Sequence, residues 1–156
     1  MQVLQDDKVV DAFTGFARDV APRIRQALIA TCGVESAKDA TAEALLYGWE
    51  HWERVAQMEN PAGYLYRVAR SRVARAHRRK VGFPAVAKDR LPWVEPGLPE
   101  ALARLTDRQR TVVWLIHGLG WRPAEVAELL GLSAPSVQTH ARRGMAKLRS
   151  ALGGGS

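Results

Sequence analysis

The sequence is short of most of what catalysis, secretion and membrane insertion draw on. One cysteine, Cys32, in 156 residues excludes an internal disulfide. The four histidines, at positions 51, 77, 117 and 140, stand in no zinc-ligand spacing with that cysteine, so neither a metal nor any other cofactor is expected. Glu43, Glu50 and Glu53 have no His or Asp partner in helical register, which argues against acid–base chemistry and hence against an enzyme. No apolar run approaches the roughly 20 residues that span a bilayer. The opening MQVLQDDKVVDAF is acidic where a secretion signal is basic. A soluble protein of a reducing cytoplasm is the expectation.

Negative charge is also missing from one long stretch. PAGYLYRVARSRVARAHRRK, residues 61–80, has seven basic side chains and no acid. Residues 1–60 carry six Lys/Arg against ten Asp/Glu, residues 61–97 nine against two, and residues 98–156 eight against four. The acidic first part is poorly suited to a polyanion, while both later parts suit one, so different segments are expected to meet different partners.

Strand patterning is nearly absent, and apolar residues recur at three- and four-residue spacing, which predicts an all-α fold of two small helical domains. A first helix is expected over 8–31, ending near Gly33, and a second from a cap near Ser36 to Trp52. A third starts with Asn60 as cap and Pro61 in the first turn and runs to Lys80. The segment VGFPAVAKDRLPWVEPGLP then places four prolines in nineteen residues, the composition of an extended linker. The expected division is a first domain over 1–80, a linker over 81–97, a second domain over 98–152 and a flexible tail, 153–156. Helices in the second domain are expected at 99–105, 107–118, 123–130 and 134–151.

PAEVAELLGLSAPSVQTHARRGMAKLR has the layout of a helix-turn-helix, with Gly131 in the turn and Ser133 as N-cap. Val126, Ala127 and Leu130 are expected to pack on Val137 and Ala141, leaving Ser136, Gln138, Thr139, His140, Arg142 and Arg143 facing outward. Gln pairs two-fold with adenine and Arg with guanine, so this face fits a major groove. In the third helix Leu65, Ala69, Val73 and Ala76 share one stripe, with Arg67, Arg70, Arg75, Arg78 and Arg79 opposite. Tyr64 and Tyr66 are each open to two readings, stacking on unpaired bases or packing in the core. Trp49 and Trp52 read as core or interface anchors, Trp114 as core, and Trp93 as an aromatic anchor in the linker.

The ordered combination of SAKDATAEALLYGWEHWERV, NPAGYLYRVARSRVARAHRRK, a Pro-rich linker and LTDRQRTVVWLIHGLGWRPAEVAELLGLSAPSVQTHARRGMAKLR resembles a bacterial RNA polymerase sigma factor of the extracytoplasmic-function (ECF) group. The resemblance spans about residues 9–152 and implies sigma-70 regions 2 and 4. It implies that Asp39, Glu43, Leu46 and Trp49 contact core RNA polymerase at the β′ clamp helices, with the β subunit as a further surface. It implies that Tyr64, Arg67, Arg70, Ser71, Arg75, Arg78, Arg79 and Lys80 bind the melted −10 element. Ser136, Gln138, Thr139, His140, Arg142 and Arg143 would read the duplex −35 element. Ser71 stands where the family often has Asn, a longer hydrogen-bonding group. An anti-sigma factor is a further implied partner, and the implied place of action is the bacterial cytoplasm, at the nucleoid when in holoenzyme. Two other readings stay open at this point: a helix-turn-helix regulator acting without polymerase, and an interaction protein that no longer reads promoters.

Overall fold

The computed structural model describes residues 2–79, with side chains up to residue 76, and residues 97–153. Lys80 and the proline-rich segment with Trp93 lie outside the described residues, as do the side chains of Arg78 and Arg79. Helix is the only regular structure among the described residues. The chain runs through α1 (Gln2–Glu50), α2 (Trp52–Val55), α3 (Pro61–Arg79), α4 (Leu98–Ala103), α5 (Asp107–Val113), a π-type turn at Trp114–Gly118, α6 (Pro123–Leu130) and α7 (Ala134–Gly153).

The long first helix is two helices fused end to end. Gly33 breaks it with φ 80° and ψ 172°, a backbone position that costs a residue with a Cβ far more than it costs glycine. The expected first and second helices therefore meet at the expected residue, although the start lies several residues earlier than expected. Asn60 caps α3 as its position predicts, its Oδ1 accepting from Gly63 N at 3.0 Å. Ser133 does the same for α7, accepting from Ser136 N at 3.2 Å. A reciprocal capping box between Thr106 and Gln109 starts α5.

Packing follows from the apolar stripes. Ala37, Ala40, Thr41, Ala44 and Gly48 make one face of α1 so thin that α3 lies close against it. Leu65 and Ala69 fill that contact and are fully buried. The stripe of α3 ends sooner than expected: Val73 is half-buried, while Ala76 is exposed because the helix runs past the body it packs on. Cys32 is buried, donates to Leu28 O at 3.1 Å, and has its thiol pushed up to about 11 by burial.

The helices after residue 97 do not stand apart from those before residue 80. Val112, Leu115, Val126, Leu129, Leu130 and Val137 belong to the same apolar core as Val20, Ile24, Leu28, Leu65 and Ala69. Trp114 Nε1 donates to Gln26 O at 3.1 Å, and Trp121 Nε1 donates to Gln26 Oε1 at 3.2 Å. Asn60 Nδ2 donates to Glu128 O at 2.6 Å. Leu129, which the helix-turn-helix elbow does not call for, is fully buried at this seam. Trp114, expected as core of the second half alone, instead bridges both halves. A satellite cluster of Ala101, Leu105, Val113 and Leu148 holds α4 to α7.

Candidate nucleic-acid and polymerase interfaces

Three exposed faces carry the residues singled out by the sequence. On α1, Asp39, Glu43, Leu46 and Trp49 all point outward, opposite the alanine face that packs on α3. Leu46 is 59% and Trp49 42% exposed, an acidic and apolar combination that fits a protein partner better than a polyanion. Trp49 is fixed from behind by Phe13, whose ring lies 5.2 Å away. Phe13 also meets Trp52 edge-on at 5.3 Å, so the N-terminal part of α1 buttresses the exposed tryptophan.

On α3, Arg67, Arg70, Ser71 and Arg75 are exposed along one side. Tyr66 is 2% exposed, and burial pushes its hydroxyl upward from the ordinary tyrosine range. It is a core residue, which removes it from base stacking. Tyr64 is half-buried, with the guanidinium of Arg54 6.0 Å and that of Arg67 5.9 Å from its ring centre. Its hydroxyl lies 3.1 Å from that of Tyr47, and Arg54 Nη2 donates to Tyr47 Oη at 2.6 Å. The hydrogen bond with Tyr64, followed by lesser contributions from Arg54 and Arg72, lowers the Tyr47 hydroxyl despite opposing desolvation, while Tyr64 is raised.

Between α1 and α3 an open groove of about 280 Å³ is lined by Tyr47, Arg67, Val68, Ser71, Arg72 and Arg75. Cations, an aromatic face and a hydroxyl in one groove are the set that holds a single strand: backbone on the arginines, base on the ring. Tyr47, Arg54 and Arg72 were not among the expected site residues. The signal that finds them is spatial, because the groove is made by two helices whose facing residues are twenty or more positions apart.

On α7, Gln138, Arg142 and Arg143 are exposed and Ser136, Thr139 and His140 are half-buried. The turn before it needs Gly131, which has φ 68° and ψ 36°. Val126 and Val137 are fully buried at the elbow, Ala127 and Leu130 are buried beside them, and Leu132 and Ala141 pack against them. Lys147 instead reaches back to Gln109 Oε1 at 3.1 Å. His140 is held below the usual histidine range by desolvation, with Arg108 and Arg143 adding to it. Among the described residues no group of His, Cys, Asp and Glu could hold a metal ion, and no helix is long and apolar enough to cross a membrane.

Comparison with known proteins matches this layout to one class. Residues 97–148 match the family "Sigma-70, region 4". The ECF RNA polymerase sigma factor SigL of Mycobacterium tuberculosis is 28% identical over 144 residues, covering 82% of this chain and 81% of SigL. SigG of the same organism, also an ECF RNA polymerase sigma factor, is 26% identical over 170 residues, covering 81% of this chain and 46% of SigG. A solved structure of the sigma factor RpoE in complex with the anti-sigma factor NepR from Bartonella quintana shares the fold, with TM-score 0.59, 18% identity, and coverage of 93% of this chain and 99% of RpoE. An all-α chain with a helix-turn-helix over residues that match sigma-70 region 4 is similar to the sigma-70 class of transcription factors. The chain is thus similar in sequence to RNA polymerase sigma factors of the ECF group.

Proposed function

We propose that this chain is the promoter-specificity subunit that binds core RNA polymerase, reads a −35 element as duplex and holds a −10 element as melted strand. Residues 1–80 and 98–152 divide these tasks, joined by 81–97. The exposed face of α1 with Asp39, Glu43, Leu46 and Trp49 docks on the β′ clamp helices, and the β subunit offers a second surface. In the major groove α7 presents Gln138, Arg142 and Arg143, with Ser136, Thr139 and His140 at the edge of the contact. Along α3, Arg67, Arg70, Ser71 and Arg75 hold the strand, Arg78, Arg79 and Lys80 extend the same run, and Tyr64 supports it. Nucleotide addition belongs to the polymerase. As RpoE is held by NepR, an anti-sigma factor is proposed as a regulator of this chain.

The observation that carries this reading is the basic groove between α1 and α3. Arginines at 67 and 75, the Ser71 hydroxyl and the Tyr47 ring converge on one space, while the opposite side of the same helix is buried. A helix that merely solvated its charges would gain nothing from facing them across a groove at an aromatic ring.

Transcription in vitro tests it. The purified chain is mixed with bacterial core polymerase and genomic fragments, and the 5′ ends of the transcripts are sequenced. Chain-dependent starts that share two upstream motifs are expected. Replacing Arg70, Arg75 and Arg78 by Glu is expected to abolish open complexes while polymerase binding persists. Survival of open complexes at moderate salt in that variant would overturn the role given to α3. Neutral replacement of three phosphate contacts also has a signature in binding, a drop of about 2 in the log–log salt slope for single strands.

A further inference from the structure

Arg72 lines the basic groove, and it also sits where two of the three faces meet. Beside the basic groove lies a second one of about 210 Å³, lined by Glu43, Leu46, Tyr47, Glu50 and Arg72. Only Tyr47 and Arg72 line both grooves. On the acidic side, Arg72 Nε lies 3.8 Å from Glu43 Oε2, and Glu50 faces the same space. On the basic side it faces Arg67 and Arg75. Its charge is therefore drawn toward α1 by two carboxylates and pushed the same way by two guanidinium groups. The Tyr47 hydroxyl between the grooves is hydrogen-bonded to Arg54 and Tyr64.

We propose that Arg72 is a phosphate ligand for single-stranded DNA that Glu43 holds in reserve. A phosphate entering the basic groove reverses the field on Arg72, and any partner that occupies Glu43 removes the group that holds it back. Glu43 lies on the face assigned to polymerase docking, so docking and strand binding are coupled through one side chain. Coupling of this kind is reciprocal: a bound strand also frees Glu43 for its partner. The inference rests on reading the basic groove as the strand site. The ion pair is half-exposed, so its release changes strand affinity by about 1.5- to 5-fold and no more.

A double-mutant cycle on the full chain, without polymerase, tests this with a fluorescein-labelled dT12 strand followed by anisotropy at low salt. Glu43→Gln is expected to tighten binding about 1.5- to 5-fold. In the Arg72→Gln background the same change is expected to have no effect, and Arg72→Lys should retain part of the gain. If Glu43→Gln tightens binding equally with and without Arg72, the gain is a bulk charge effect and the reserve role is wrong. No gain from Glu43→Gln in the wild-type background overturns it as well. Arg67→Gln and Arg75→Gln measured on the same strand separate the two levels. If they leave dT12 binding unchanged, the groove is not the strand site and both readings fall; if they weaken it while the cycle shows no coupling, only the role of Arg72 falls.

Discussion

His140 is the residue on α7 whose charge is set by its neighbours. Desolvation, then Arg108 and Arg143, hold its imidazole below the usual histidine range, so the free chain presents it neutral at pH 7. If α7 enters a duplex as proposed, phosphates near it push the other way and favour the imidazolium. The bound state then takes up a proton that the free state does not hold, and affinity for the promoter rises as pH falls through the histidine range. Titration of a −35 fragment taken from the transcription experiment is expected to show tighter binding at about pH 6 than at about pH 7.5, with the difference largely lost in His140→Gln. Equal pH slopes for the two proteins would place His140 away from the phosphates. Such shifts are invisible in the sequence, because Arg108 comes from α5 and approaches only through packing.

At the level of elements, the turn between α6 and α7 is a tightly constrained joint. Gly131 sits at φ 68°, and a Cβ there would lie 3.3 Å from Arg67 Nη1 of α3. Gly131→Ala is expected to cost about 1–2 kcal/mol from the left-handed backbone alone, read as a lowered urea midpoint with unchanged slope. An unchanged midpoint would mean that the turn relaxes. This joint was legible beforehand, as were Gly33, the Asn60 and Ser133 caps and the buried Leu65 and Ala69, because all of them express local backbone chemistry and helical period. The outward arginines of α3 and the outward side of α7 were legible for the same reason. Tyr66, Leu129, Trp114 and Trp121 were not, since their surroundings come from the other half of the chain. The basic groove was half legible: α3 supplied its cations in plain sight, while Tyr47 and Arg72 gain their places only once α1 lies alongside.

For the molecule as a whole, the shared core sets a conflict between the docked form and its task. Elements centred about 25 base pairs apart lie roughly 85 Å apart along a duplex at 3.4 Å per base pair. A compact chain of this length has a radius of gyration of about 15 Å. The two faces proposed to read DNA therefore cannot reach both elements while Trp114 and Trp121 hold Gln26 and Asn60 holds Glu128. On the proposed reading, engagement with polymerase and promoter separates the halves and uncovers Leu129 at the seam. Fluorophores placed through Arg18→Cys and Ser150→Cys, with Cys32 protected by burial, are expected to transfer energy efficiently in the free chain and poorly in the promoter complex. Gln26→Ala removes the acceptor of the Trp121 indole and is expected to lower transfer in the free chain part of the way. Efficient transfer that persisted in a complex competent for transcription would mean that the halves stay docked, and that one of the two DNA faces is not used as proposed.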